Sequence, residues 1–235
     1  MALPVLNDQP KYELNIPSTG QTVRYRPYLV REEKVLMLAM ESQDPRHMFS
    51  AILDTIKACI VDENIKWDDL AIFDVEYMFI IIRSKSVGES AKLNFKCSEC
   101  EEPNELSVDL TDISPKMPDI TGEIKLTEDI SIQMQWPSYH SMSKATEEEI
   151  SETEMTMVMI GNCIKYVNTD TDQIIVKDEP QQSINNFLES LSTSQFELIK
   201  EYTDQMPQIV KDIEYECSEC SHHNKVKLQG MSDFF

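Results

Sequence analysis

The sequence predicts an α+β protein made of two similar helical repeats, each ending in a β-hairpin that carries a cysteine pair. Three observations predict it. The tetrapeptide Cys-Ser-Glu-Cys occurs at Cys97–Cys100 and again at Cys217–Cys220, each copy between alternating apolar runs and followed by an asparagine, Asn104 or Asn224. Apolar residues at helical spacing dominate the stretches before each copy. Finally, the features before the second copy restart in the order seen before the first, as an internal duplication would produce.

The elements follow in order. Residues 1–22 read as an arm of short extended pieces, because Pro4, Pro10 and Pro17 forbid a long helix. Thr22–Arg26 alternates as a strand and stops at Pro27. Arg31–Gln43 has helical composition without a breaker, and Asp44-Pro45 reads as a helix end followed by a new N-cap and first turn. From His47 to Val61, Met48, Ile52, Ile56, Cys59 and Ile60 recur at helical spacing. Asp68 or Asp69 is expected to cap a third helix running to about Ser84, before a hairpin at about 91–112.

The prolines and glycine of residues 113–122 mark a linker. Beyond it, Ile130–Trp136 is an alternating strand ending at Pro137, and a helix is expected over Ser143–Tyr166, with Ile150, Met157, Ile160 and Ile164 on one stripe. Ile174–Val176 is a short strand. Helices near 181–191 and 194–206, the latter capped by Thr193 or Ser194, precede the second hairpin. Pro27 aligns with Pro137, Cys59 with Cys163, and both halves finish in Cys-Ser-Glu-Cys. The expected organisation is an arm (1–22), a first repeat (23–115), a second repeat (116–229) and a tail (230–235).

Two Cys-x-x-Cys knuckles supply Cys97, Cys100, Cys217 and Cys220, the four thiolates a closed tetrahedral zinc site requires. The knuckles are therefore expected to meet in a zinc-ribbon-like site holding one structural Zn²⁺ per chain. Two rivals stay open: His222 or His223 replacing a cysteine or building a second site, and a redox Cys-x-x-Cys. The second conflicts with Glu99, Glu101, Glu102, Glu216 and Glu219, whose charge should raise the thiol pKa values. Cys59 and Cys163 read as core thiols.

Formal charge is −21, from 42 acidic against 21 basic residues among 235. A surface that acidic repels phosphate backbones and favours solubility or a basic protein partner. No leader pattern and no spanning apolar run is visible, and with six cysteines the expectation is a soluble intracellular protein with reduced or metal-bound thiols. None of His47, His140, His222 and His223 falls in a catalytic motif, so a non-enzyme is expected. The run Glu147-Glu148-Glu149 reads as a solvated face near a helix start. Of 13 methionines, Met37 and Met40 share a turn of the first helix, and Met155, Met157 and Met159 cluster in the second half. Such residues build core, or a groove that accepts a partner helix. In the tail, Met231, Phe234 and Phe235 either dock on the body or anchor a partner.

The acidic, Met-rich helical body, Pro17-Ser18-Thr19-Gly20, Val23-Arg24-Tyr25-Arg26-Pro27-Tyr28-Leu29 and the closing Met231-Ser232-Asp233-Phe234-Phe235 resemble the baseplate hub assembly proteins of T-even type contractile-tailed bacteriophages. The resemblance implies a non-enzymatic assembly factor or hub component that binds other phage baseplate hub proteins in the host cytoplasm, and it carries no active-site residues. The alternative, from the knuckles alone, is a zinc-ribbon nucleic-acid or transcription-associated factor.

Overall fold

The computed structural model describes residues 9–141 and 151–234. Residues 1–8 of the expected arm, residues 143–150 of the expected long helix (with Ile150 and Glu147-Glu148-Glu149) and Phe235 lie outside them. The chain forms two compact units. One takes the residues up to 65, 73–116 and those from 208 on; the other takes 66–72 and 117–207.

In the first unit, β1 (Tyr12–Asn15) pairs antiparallel with β2 (Thr22–Tyr25), Tyr12 opposite Tyr25. The alternation in β2 buries Val23 and Tyr25 completely. The turn between the strands needs Gly20 at φ 69°, and Ser18 in that turn donates its N–H and hydroxyl to Asp74, at 2.9 and 2.6 Å. Those two bonds satisfy a fully buried carboxylate, which gives Pro17-Ser18-Thr19-Gly20 a structural reason.

Helix α1 (Val30–Ser42) ends where Gln43 turns left-handed, and α2 (Pro45–Cys59) starts on Asp44, whose carboxylate accepts the Arg46 N–H with Pro45 in the first turn. At the head of α1, buried Glu32 accepts from the Leu29 N–H (2.8 Å), Arg26 Nη2 (2.8 Å) and Arg31 Nε (2.7 Å). Burial alone would raise this carboxyl, but those bonds outweigh it and hold it at about 2.

The third helix, α3 (Ile72–Ser86), starts later than expected. Trp67–Asp69 form a single 3₁₀ turn, Ala71 bridges to Ser138, and the Tyr139 N–H bonds Leu70 O, so the backbone stays extended until Ile72. Asp68 and Asp69 therefore cap nothing on α3. Phe73, Met78, Phe79, Ile80 and Ile82 bury nearly its whole circumference, as befits a core helix. Two antiparallel hairpins complete the unit: β3 (Ser90–Lys96) with β4 (Pro103–Asp109), and β9 (Val210–Glu216) with β10 (His223–Gln229). The second hairpin, expected within a repeat spanning 116–229, thus sits in the same unit as the first.

The second unit holds an antiparallel sheet in the order β5 (Glu123–Lys125), β6 (Ser131–Met134), β7 (Ile164–Asn168) and β8 (Gln173–Ile175). Its core packs Ile132, Ile164 and Val167 with Ile160 of α4 (Glu152–Asn162), Leu188 of α5 (Gln181–Glu189) and Ile199 of α6 (Thr193–Thr203). The helix expected to reach Tyr166 stops at Asn162. Ile164-Lys165-Tyr166-Val167 has the branched and aromatic composition of a strand, and it pairs with β6. The cap of α6 is Ser192, in a reciprocal box with Gln195, one residue ahead of the expected Thr193 or Ser194. Helices α4 and α5 meet at Gly161, where an added Cβ would lie 2.8 Å from Ile184 Cγ2.

Glu32→Gln removes the charge that Arg26 and Arg31 face and is expected to cost about 3 kcal/mol in urea unfolding. Because its folded pKa is depressed, the Glu32 contribution is complete above about pH 4.5 and lost as pH falls through about 2. The stabilities of the native chain and the variant should converge near pH 2, separate as pH rises through the window and differ fully above about pH 4.5.

Candidate metal centre

Each knuckle is built by its backbone. In the first, the Cys97 N–H bonds Glu102 O and the Glu101 N–H bonds Cys97 O, both at 3.0 Å. In the second, the Cys217 N–H bonds His222 O (2.9 Å) and the Ser221 N–H bonds Cys217 O (3.0 Å). The residue after each second cysteine is left-handed, Glu101 at φ 61° and Ser221 at φ 56°. Two loops of the same length, with the same bonds and the same unusual dihedral, present their sulfurs alike.

The four sulfurs lie within 4.8 Å of one another. Across the hairpins, Cys97 Sγ is 3.7 Å from Cys220 Sγ and Cys100 Sγ is 3.6 Å from Cys217 Sγ. A tetrahedron with metal–sulfur bonds of roughly 2.3 Å has edges of about 3.8 Å. The spacing fits such a tetrahedron and is far too long for S–S bonds. The four cysteines could therefore hold a metal ion. Cys97 and Cys217 are buried while Cys100 and Cys220 face outward, and no histidine joins the group among the described residues. His222 and His223 are exposed.

Two asparagines lock the arrangement. Asn104 Oδ1 accepts the Ser218 N–H (2.9 Å) and hydroxyl (3.1 Å), and its Nδ2 donates to Glu102 O (2.8 Å) and faces Cys217 Sγ at 3.7 Å. Asn224 does the same in reverse: Oδ1 takes the Ser98 N–H (2.9 Å) and hydroxyl (3.0 Å), and Nδ2 reaches His222 O (3.0 Å) and Cys97 Sγ (3.5 Å). The two hairpins are thus related by a local two-fold, with Phe95 and Tyr215 in matching positions and in ring contact at 6.0 Å. Sequence reasoning registered the two asparagines as part of the repeated frame and assigned them no role.

The electrostatics follow this geometry. Donation from the Cys100 and Glu99 backbone N–H groups and from Asn224 lowers the Cys97 thiol to about 6, and the equivalent donors lower Cys217. The expected rise from the neighbouring glutamates fails at these two thiols, because those side chains point into water while amide hydrogens point at sulfur. Cys100 accepts from the Glu102 N–H, yet the neighbouring sulfurs and burial push it up to about 12, and Cys220 moves up as well. Four sulfurs this close cannot all ionise unless a cation joins them. Cys59 and Cys163 lie in the two cores, pushed by burial to about 11 and about 12.

The tail lies beneath the hairpins. Gly230, at φ 71°, donates to Ile209 O, Asp233 accepts the Gln229 N–H at 2.8 Å, and Met231–Phe234 form one 3₁₀ turn. Phe234 is fully buried with Ile80, Leu110, Ile209 and Leu228, and Met231 is buried too. Both side chains expected as possible partner anchors face the protein's own core; Phe235 is outside the described residues.

A family model described as "T4 bacteriophage base plate protein" matches residues 9–235. No curated protein and no solved structure matches the chain.

Asn104→Ala and Asn224→Ala should each weaken metal binding about 10–100-fold, and by similar factors, in a chelator competition assay with cobalt(II) as the probe. Unchanged affinity in either would contradict the two-fold role. Phe234→Ala should cost about 3–5 kcal/mol in urea unfolding, as for a core aromatic.

Proposed function

Because the chain belongs to the T4 bacteriophage base plate protein family, we propose that it is a non-enzymatic hub component or hub assembly factor of a contractile-tail baseplate, held in shape by one structural zinc ion. The observation that carries this reading is the family match, which covers nearly the whole chain. On this reading the protein folds in the host cytoplasm, binds other hub proteins and acts at the tail baseplate.

Zinc is the metal the donor set favours. Four thiolates in a tetrahedron suit Zn²⁺, and with all four positions taken by sulfur none is left for water or substrate. The ion would supply stability and no chemistry. Structural zinc contributes roughly 10–16 kcal/mol of apparent binding energy in small domains, as much as a whole domain's net stability.

The proposal includes an ancestral duplication, with repeats at 23–115 and 116–229 between the arm (1–22) and the tail (230–235). Beyond the paired knuckles, two details support it. Cys59 O accepts the Arg26 N–H at 2.9 Å, and its counterpart Cys163 O accepts the Gln135 N–H at 2.8 Å. The side chains repeat the pattern, Arg26 Nη2 bonding Ala58 O and Gln135 Nε2 bonding Asn162 O. Each matched cysteine thus closes a helix beside the strand that leads to the matched proline, with Gln135 one residue farther from Pro137 than Arg26 is from Pro27. A nucleic-acid role has only the paired knuckles behind it, and the −21 charge opposes it.

Metal analysis of the purified chain should find one zinc per chain, and chelation should lower the melting temperature by more than about 10 °C. Iron in its place, two ions per chain, or melting indifferent to chelation would refute the zinc assignment. A tagged chain captured from infected cells should bring hub proteins with it, and Cys97→Ser/Cys217→Ser should lose them. Capture without hub proteins would sink the hub reading while leaving the zinc result intact.

A further inference from the structure

The outer face of α1 is exposed among the described residues. Helix α1 buries a narrow stripe, Glu32, Leu36 and Ala39, yet its other sides are also apolar. Val30 is 79% exposed, Met37 57%, Met40 56% and Leu38 55%, with Val35 and Phe49 of α2 beside them. A helix apolar on opposite sides is normally covered on both. Val30, Met37 and Leu38 fall together on the side opposite the buried stripe, while Val35 and Met40 flank that stripe.

The stripe opposite the buried one reads Val30, Lys34, Met37, Leu38 and Glu41, spaced i, i+4, i+7, i+8 and i+11. Its basic residue stands toward the N-terminal end and its acidic residue toward the C-terminal end. Both are exposed, and neither forms an ion pair among the described residues. This pattern is self-complementary. Two copies of α1 laid antiparallel about a two-fold axis between Met37 and Leu38 set Lys34 of each against Glu41 of the other, with the apolar residues between.

We infer that this face of α1 is the two-fold interface of a homodimer. Charge supports a second copy: chains of net charge −21 repel, and residues 30–59 are nearly neutral, with four basic against five acidic side chains. The metal centre and the hub reading play no part in this inference.

Sedimentation velocity on the full chain at about 1–100 µM tests it. The native chain should sediment at twice the 27.1 kDa of one copy. Met37→Asp, at an exposed position, should give a folded monomer by circular dichroism. Lys34→Glu and Glu41→Lys should each weaken the dimer about tenfold or more, and combining the two should restore it to within a few-fold. A monomer at every concentration overturns the inference, as does a dimer indifferent to Met37→Asp. Loss in both single charge variants without recovery in the double overturns the antiparallel register. A monomer whose Met37 is needed to bind a different baseplate protein assigns the face to that partner instead.

Discussion

Two buried asparagines reach from one hairpin into the other, and the four-sulfur cluster depends on that exchange. Asn104 satisfies Ser218 and faces Cys217; Asn224 satisfies Ser98 and faces Cys97. Each amide thereby fixes the partner knuckle and donates toward the partner's inner sulfur. Thiolates beside acidic neighbours are unfavourable by themselves, so these amide and backbone donors decide which two sulfurs ionise readily. A cation bound among the four sulfurs would offset the repulsion that keeps the outer pair protonated. Hydrogen bonding, ionisation and metal affinity are thus set by the same few atoms.

Much of this was legible in the residues. The two Cys-Ser-Glu-Cys copies are tied to two strands each by alternation, and alternation at period two survives in the structure as buried Ala91, Val108 and Leu228. Asp44-Pro45 marked the break between α1 and α2, because a capping carboxylate followed by a proline permits little else. Where reading failed, long-range pairing had overridden local pattern. Met157, Ile160 and Ile164 fit a helical stripe, yet Ile164 joins the core from a strand, since pairing with β6 satisfies its backbone as well as a helix would. The start of α3 was displaced by pairing with residues 138–139, far away in sequence. Phe234 gave no sign of its destination, because a terminal aromatic reads the same whether it docks at home or elsewhere.

Order in the sequence and order in space differ here, and the second hairpin is the reason. The proposed repeats would divide near residue 115; as packed bodies, the closing hairpin belongs with the first half. The core under both hairpins draws Ala91 and Val108 from one, Leu228 from the other, Ile80 from α3 and Phe234 from the tail. A packed core of this kind accepts little change in volume from any contributor. Substitutions near the chain end should therefore be read as core substitutions.

The separation of Cys97 from Cys220, 123 positions along the chain, also bears on how the protein reaches its folded state. Closing so wide a loop carries an entropic penalty that comes before any reward from the contacts it allows, and such non-local pairing slows folding. The segment between the hairpins is largely residues 117–207, which have a core of their own. If that core condenses first, the flexible path left to close is far shorter, and the hairpins then search a small volume for each other. The second unit would in this way act as a kinetic aid to the first, and a defect deep in its sheet would be felt as slow maturation of the four-sulfur site.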